Sequence, residues 1–157
     1  MIDWDQDKKS QFKVSVIIAW SILVIVPLLF VVVSYMVKTP LRAGGEYKML
    51  FYILFIVGVF QPFVLKIVES FQINNYHKNL NTSITPAKLY SIIYMIKCSF
   101  IEAIYIYGLL VYLLSGNRME MLYFYPVGIV WSFVYWPNKS KFNKFIEKVE
   151  NNGQFSK

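Results

Sequence analysis

Four apolar runs alternate with short polar joints along the chain. Val14 to Val37 is 24 residues without a charge, enough to cross a hydrocarbon layer of about 30 Å with some tilt. A cleaved signal peptide is the competing reading of this run. Its apolar part would be about 7–15 residues and end in small residues, which Ser34-Tyr35-Met36 does not supply. The run is therefore read as a retained anchor. A second run goes from Met49 to Leu65 and on through Lys66 to Phe71, and a third, Leu89 to Leu114, is interrupted by Lys97 and Glu102. The fourth, Met119 to Trp136, is shorter and carries Pro126. Its Tyr123, Tyr125, Tyr135 and Trp136 suit the aromatic belts at membrane interfaces.

Backbone groups facing lipid must be paired within their own segment, which predicts helices throughout. A transmembrane barrel would need alternating strands of about 9–11 residues, and these runs are continuous. The predicted class is an all-α integral membrane protein forming a single membrane domain over 1–157. Four transmembrane helices in an antiparallel up-down arrangement are expected over about 14–37, 49–71, 89–114 and 119–136.

The joints agree with that order. Lys38-Thr39-Pro40 and Ala43-Gly44-Gly45 make a short first turn. Asn74, Asn75, Asn79, Asn81, Thr82, Ser83 and Pro86 make a polar middle loop, which also holds His77, and Ser115-Gly116-Asn117 a tight last turn. After Pro137 the pattern changes. Phe142, Phe145, Ile146 and Val149 fall at i, i+3, i+4 and i+7, the stripe of an amphipathic C-terminal helix over 138–152. Lys141, Lys144 and Lys148 lie off the stripe, so the helix either rests on an anionic leaflet or is simply solvated.

Composition supports a membrane class over a soluble one. The 157 residues are 57% hydrophobic, 18% aromatic and only 16% charged, with a mean hydropathy of +0.46, more apolar surface than one small soluble core can hide. The net charge of +7 follows topology. With four spans, eleven lysines fall on the side of the two termini and the middle loop, against Lys38, Arg42, Lys48 and Arg118 opposite. The positive side is cytoplasmic, so both termini are expected there, in a bacterial inner membrane or its equivalent. If the fourth segment did not span, the bias would invert to six against nine.

Soluble-enzyme chemistry is missing. No nucleotide-binding glycine loop and no zinc-ligand spacing occurs, and His77 and Cys98 are the only His and Cys. No catalytic residue, metal or cofactor is expected, and the dispersed lysines do not form a nucleic-acid surface. The residue that stands out is Glu102, within one residue of the middle of the third run. An acid at mid-membrane costs roughly 2.5–3.5 kcal/mol on insertion scales, and hydrocarbon favours its neutral form. Such a group gives up its proton only when a cation or water approaches, the behaviour of a proton carrier. Cys98, Ser99, Tyr105 and Ile106 share its helical face, so Ser99 and Tyr105 offer hydroxyls. Gln61, before the kink-forming Pro62 of the second run, lies near the same depth and is a candidate to face Glu102. Proton binding is thus assigned to Glu102, Tyr105, Ser99 and Gln61. Lys97 stands about 140° round the helix from Glu102 and is expected to snorkel to the interface. The other reading is that Glu102 pairs with Lys97 of another helix or subunit and holds an assembly together.

The stretch Phe100-Ile101-Glu102-Ala103-Ile104-Tyr105-Ile106-Tyr107-Gly108-Leu109-Leu110-Val111 resembles the second helix of the proteolipid c subunit of rotary ATP synthases. There the ion-carrying carboxylate is followed by Ala-x-x-Ile-Tyr-Gly-Leu-x-Val. Lys66-Ile67-Val68-Glu69-Ser70 is similar to the end of that family's first helix. The resemblance covers about 57–114. It implies a proton-carrying Glu102 in a multi-subunit membrane complex, with Ala103 favouring protons over sodium. Two features depart from the family: Gly58 stands alone among phenylalanines where the family has a glycine run, and an Asn-rich loop replaces Arg-Gln-Pro. The expected partners are the lipid bilayer and other membrane subunits, in a homo- or hetero-oligomer. The alternative function is a structural or accessory four-helix membrane protein with Glu102 as an assembly contact.

Overall fold

The computed structural model describes residues 4–37, 47–78 and 84–154. All regular structure among them is helical, and prolines decide where the helices deform or break. The first apolar run is one rod: α1 (Trp4–Trp20) passes through a π-helical turn, Ser21–Ile25, into α2 (Val26–Met36). Pro27 has no N–H for the Leu23 carbonyl and its ring crowds that oxygen. The ladder widens just before it, with the Val26 N–H donating to the Ser21 carbonyl five residues back.

α3 (Tyr47–Lys78) continues helically through Pro62. Asn74, Asn75 and His77, expected in the middle loop, belong to its last turns instead. Ile73 and Tyr76 pack into the core there, and that burial outweighs the weak helix propensity of the asparagines. α4 (Pro86–Ser115) starts where the Thr85 hydroxyl accepts the Lys88 N–H at 3.2 Å, with Pro86 placed where its missing N–H costs nothing. It stops at Gly116, whose φ of 73° is the left-handed conformation that favours glycine.

The fourth run is divided. α5 (Arg118–Leu122) and α6 (Phe124–Val134) meet at Tyr123, because Pro126 cannot donate to the Leu122 carbonyl. Three rods, Asp5–Met36, Tyr47–Lys78 and Pro86–Ser115, are long and apolar enough to cross a membrane. The expected unbroken fourth span is replaced by the shorter α5–α6 pair. The first joint, over 38–45, and Asn79, Asn81, Thr82 and Ser83 lie outside the described residues.

α4 is the axis of the bundle and packs against every other helix. α1–α2 runs parallel to it, as shown by Thr85 donating to the Asp7 carboxylate (2.8 Å), Ser15 meeting Ser91 (3.4 Å) and Tyr112 donating to the Val37 carbonyl (2.9 Å). α3 is antiparallel to α4, with Gly58 on Ile104 and Tyr107. α5–α6 is antiparallel as well and approaches closely through glycines. A Cβ on Gly108 would lie 2.9 Å from the Met121 carbonyl, and one on Gly128 would run into the Tyr105 ring.

The C-terminal helix α7 (Lys139–Gln154) does not lie free. Phe142, Phe145, Ile146 and Val149 are only 1–7% exposed. Phe142 meets the Tyr90 ring edge-on at 4.9 Å and Phe12 at 5.6 Å, and Phe145 meets Tyr90 at 5.3 Å. The stripe is therefore covered by α1 and α4, correcting the expectation of a lipid-resting or solvated helix. The physical reason is length. α4 is about 45 Å long, more than a 30 Å layer needs, and the stripe of α7 is buried against its first turns and against Phe12 of α1.

Candidate functional site

Two hydrogen-bonded levels frame α4. The Ser15–Ser91 pair marks one and the Tyr112–Val37 bond the other, with Arg118 donating to the Ser34 carbonyl (3.3 Å) and lying over the Tyr35 ring at the same end. Ser91 and Tyr112 are about 32 Å apart along the helix, and Glu102 falls within a residue of their midpoint. Between the levels α1–α2 carries no charge.

Round the helix, Glu102 belongs to the outer face. Met95, Ser99, Ile106 and Leu110, spaced to form one strip with it, are all exposed, and Glu102 itself is half-buried. Among the described residues its carboxylate has no hydrogen bond and no ion pair. The four residues assigned to proton binding are not brought together. Tyr105 is 1% exposed and turns to α6, where its hydroxyl lies 3.4 Å from the Ser132 hydroxyl and its ring meets Tyr125 edge-on at 5.1 Å. Ser99 is exposed beside Glu102 without a bond to it. Gln61 is 9% exposed, and its amide oxygen has no partner among the described residues. Gln61 sits at the depth of Glu102, since Gly58 opposes Ile104 and Tyr107. It does not face Glu102, because α3 covers the side of α4 that holds Lys97 and Ile104, and Glu102 stands about 140° away.

Lys97, expected to snorkel, instead forms an ion pair with Glu69 of α3 at 2.6 Å, the two side chains 16% and 27% exposed. The ammonium also lies 5.6 Å from the centre of the Tyr135 ring, a cation–π distance. The pair borders a cavity of about 300 Å³ at the junction of α3, α4, the end of α6 and the start of α7. Tyr90, Tyr94, Val134, Tyr135, Lys141 and Phe145 complete its wall. Lys141 donates to the Val134 carbonyl at 2.8 Å, closing the C-terminus of α6 with a cation. The Tyr135 hydroxyl donates to the Pro62 carbonyl at 3.4 Å. The Tyr94 hydroxyl, 3% exposed as a residue, has no nitrogen or oxygen partner among the described residues; the Cys98 thiol is its polar neighbour. Cys98 is fully buried and fills space against α4's neighbours.

This cluster has a faint signature in the sequence. Glu69 and Lys97 stand symmetrically about position 83, so an antiparallel hairpin turning there puts them side by side. No group of three metal-ligating side chains occurs among the described residues. No protein family, no characterised protein and no solved structure matches the chain.

Proposed function

We propose that the protein is a non-catalytic membrane subunit whose Glu102 meets a membrane-spanning helix of another chain at mid-depth. The observation that carries this reading is the half-buried carboxyl on an outward strip, with no hydrogen bond or ion pair among the described residues. An acid there costs roughly 2.5–3.5 kcal/mol against lipid, and even its neutral form keeps an O–H that needs an acceptor. Ser99, exposed one turn away, extends the polar contact. The crossing of α5–α6 from the Ser34 level to the Lys97 level supports it as a fourth, thinner span of about 25 Å. The lysine bias supports termini on the cytoplasmic side.

The second reading is proton carriage by Glu102, favoured by the outward presentation of the carboxyl and the sequence from Phe100 to Val111. A tight ring of c-subunit type is disfavoured, because α1–α2, α3 and α5–α6 already surround most of α4. Paired substitutions separate the two. Glu102→Gln keeps hydrogen-bonding capacity, and Glu102→Leu removes it. On the assembly reading, the native complex in mild detergent keeps its mass with Glu102→Gln and falls to the single chain with Glu102→Leu. Proton carriage predicts an intact complex without proton-linked activity for Glu102→Gln. An unchanged mass for Glu102→Leu refutes the assembly contact.

A further inference from the structure

We propose that copies of this chain associate head to tail in the membrane, with Lys66 on α3 of one copy meeting Glu102 on α4 of the next. The inference rests on the reading of Glu102 as an assembly contact and names its partner as a second copy of the chain. Between the Ser91 and Tyr112 levels, α3 and α4 carry four charged side chains: Lys66, Glu69, Lys97 and Glu102. Glu69 and Lys97 hold each other inside the bundle. Lys66 and Glu102 are opposite in sign, and among the described residues neither has an ion pair or a hydrogen bond. Lys66 is exposed on one strip of α3 with Phe63 and Ser70, and Glu69, three residues on, is already taken by Lys97.

Depth matches the two. Gly58 opposes Ile104 and Tyr107, and Lys66 stands eight residues further along α3, about 12 Å back toward the Ser91 level. That brings it within about 5 Å of the Glu102 level, a gap that a Lys and a Glu side chain span together. It also leaves Lys66 about 11 Å inside the Ser91 level, in hydrocarbon, where a lone cation is as costly as a lone acid. Direction forbids the pair within one chain. Lys66 lies three turns from Phe55 on the same edge of α3, and Phe55 meets Phe124 of α6 at 5.6 Å. Lys66 therefore looks out on the α6 side of α3, whereas Glu102 looks out with Met95, Ser99 and Ile106 from the outer strip of α4. Copies inserted the same way keep both residues at their depths, so a neighbour turned about the membrane normal sets its Glu102 against Lys66. A contact between unlike faces closes as a ring, so three or more copies are expected. The repeating unit is the whole bundle, and α4 keeps its own helical neighbours.

The test reads the mass of the purified full chain in a mild uncharged detergent by native mass spectrometry. Three or more copies are expected at high protein concentration, and dilution into excess lipid separates them and leaves Glu102 open. Lys66→Glu and Glu102→Lys each set like charges together and weaken self-association at least about thirtyfold. The double variant restores opposite charges and brings association back to within about fivefold of the original chain. Should a reversal disturb folding, Lys66→Met, at an exposed position, is expected to weaken association about tenfold and carries the test alone. Full association of Lys66→Glu or Lys66→Met, or a double variant no better than either single reversal, overturns the proposal. A purified chain that stays single while the native complex is larger also overturns it, and assigns Glu102 to a different protein. Loss of the reading on which the proposal rests looks different: Glu102→Leu then leaves the native complex at full mass.

Discussion

Separating Lys97 from Glu69 should destabilise the bundle through a coupling that a double-mutant cycle can measure. At 2.6 Å the bare attraction is several kcal/mol even at an effective dielectric constant of about 20. Desolvation offsets most of it. The side chains are 16% and 27% exposed, which puts the pair between the surface case, at about 0–1 kcal/mol, and the buried case, where breaking a pair costs about 3–5. The expected coupling is about 2 kcal/mol. Glu69→Gln and Lys97→Met should each cost about 2–3 kcal/mol, because each strands a charge at the junction of three helices. The double variant should cost clearly less than the two together. Reversible unfolding of all four proteins in mixed micelles, titrated with a denaturing detergent, supplies the cycle. A coupling below about 0.5 kcal/mol would refute the pairing of α3 with α4 in this register.

Gly128→Ala should lower stability by about 1–3 kcal/mol, because the added methyl meets the Tyr105 ring and α6 has to move away from α4; the same unfolding titration reads it. Phe142→Ala should cost about 3–5 kcal/mol and expose α7 to trypsin at Lys141, Lys144 and Lys148. A helix lying on lipid or in water predicts no loss of stability there, so an unchanged unfolding curve would contradict the docked position.

How legible these features were in the sequence depends on whether a feature is set by distance along the chain or by angle around a helix. The first three rods were readable because an apolar run of sufficient length has few other places to go. Glu102 was placed near the middle of its run, and along α4 the Ser91 and Tyr112 hydrogen bonds lie about equally far on either side of it. The division of the fourth run rests on Pro126, which was visible, but whether a proline bends a helix or ends it depends on what supports the freed carbonyl. Pro62 and Pro27 are accommodated, and Pro126 is not. Angle around the helix was not readable. Gln61 matches Glu102 in depth and yet looks elsewhere, since the face of α4 that meets α3 is set by Gly58, Ile104 and Tyr107 together. Likewise the stripe on α7 was plain, but a stripe does not say what covers it, and Tyr90 and Phe12 are far from it in sequence. The Lys97–Glu69 pair was missed because each charge was considered on its own helix.

The most direct measurement is the reaction of the isolated chain, reconstituted in excess lipid, with carbodiimides of opposite solubility, mapped to residues by mass spectrometry. A carbodiimide adds to a protonated carboxyl that it can reach. The lipid-soluble reagent is expected to modify Glu102 and to spare Glu69, whose carboxylate is held by Lys97 at 2.6 Å. The water-soluble reagent should leave Glu102 untouched. Modification of Glu102 by the water-soluble reagent alone, or complete inertness to both, would contradict a carboxyl facing outward at mid-membrane.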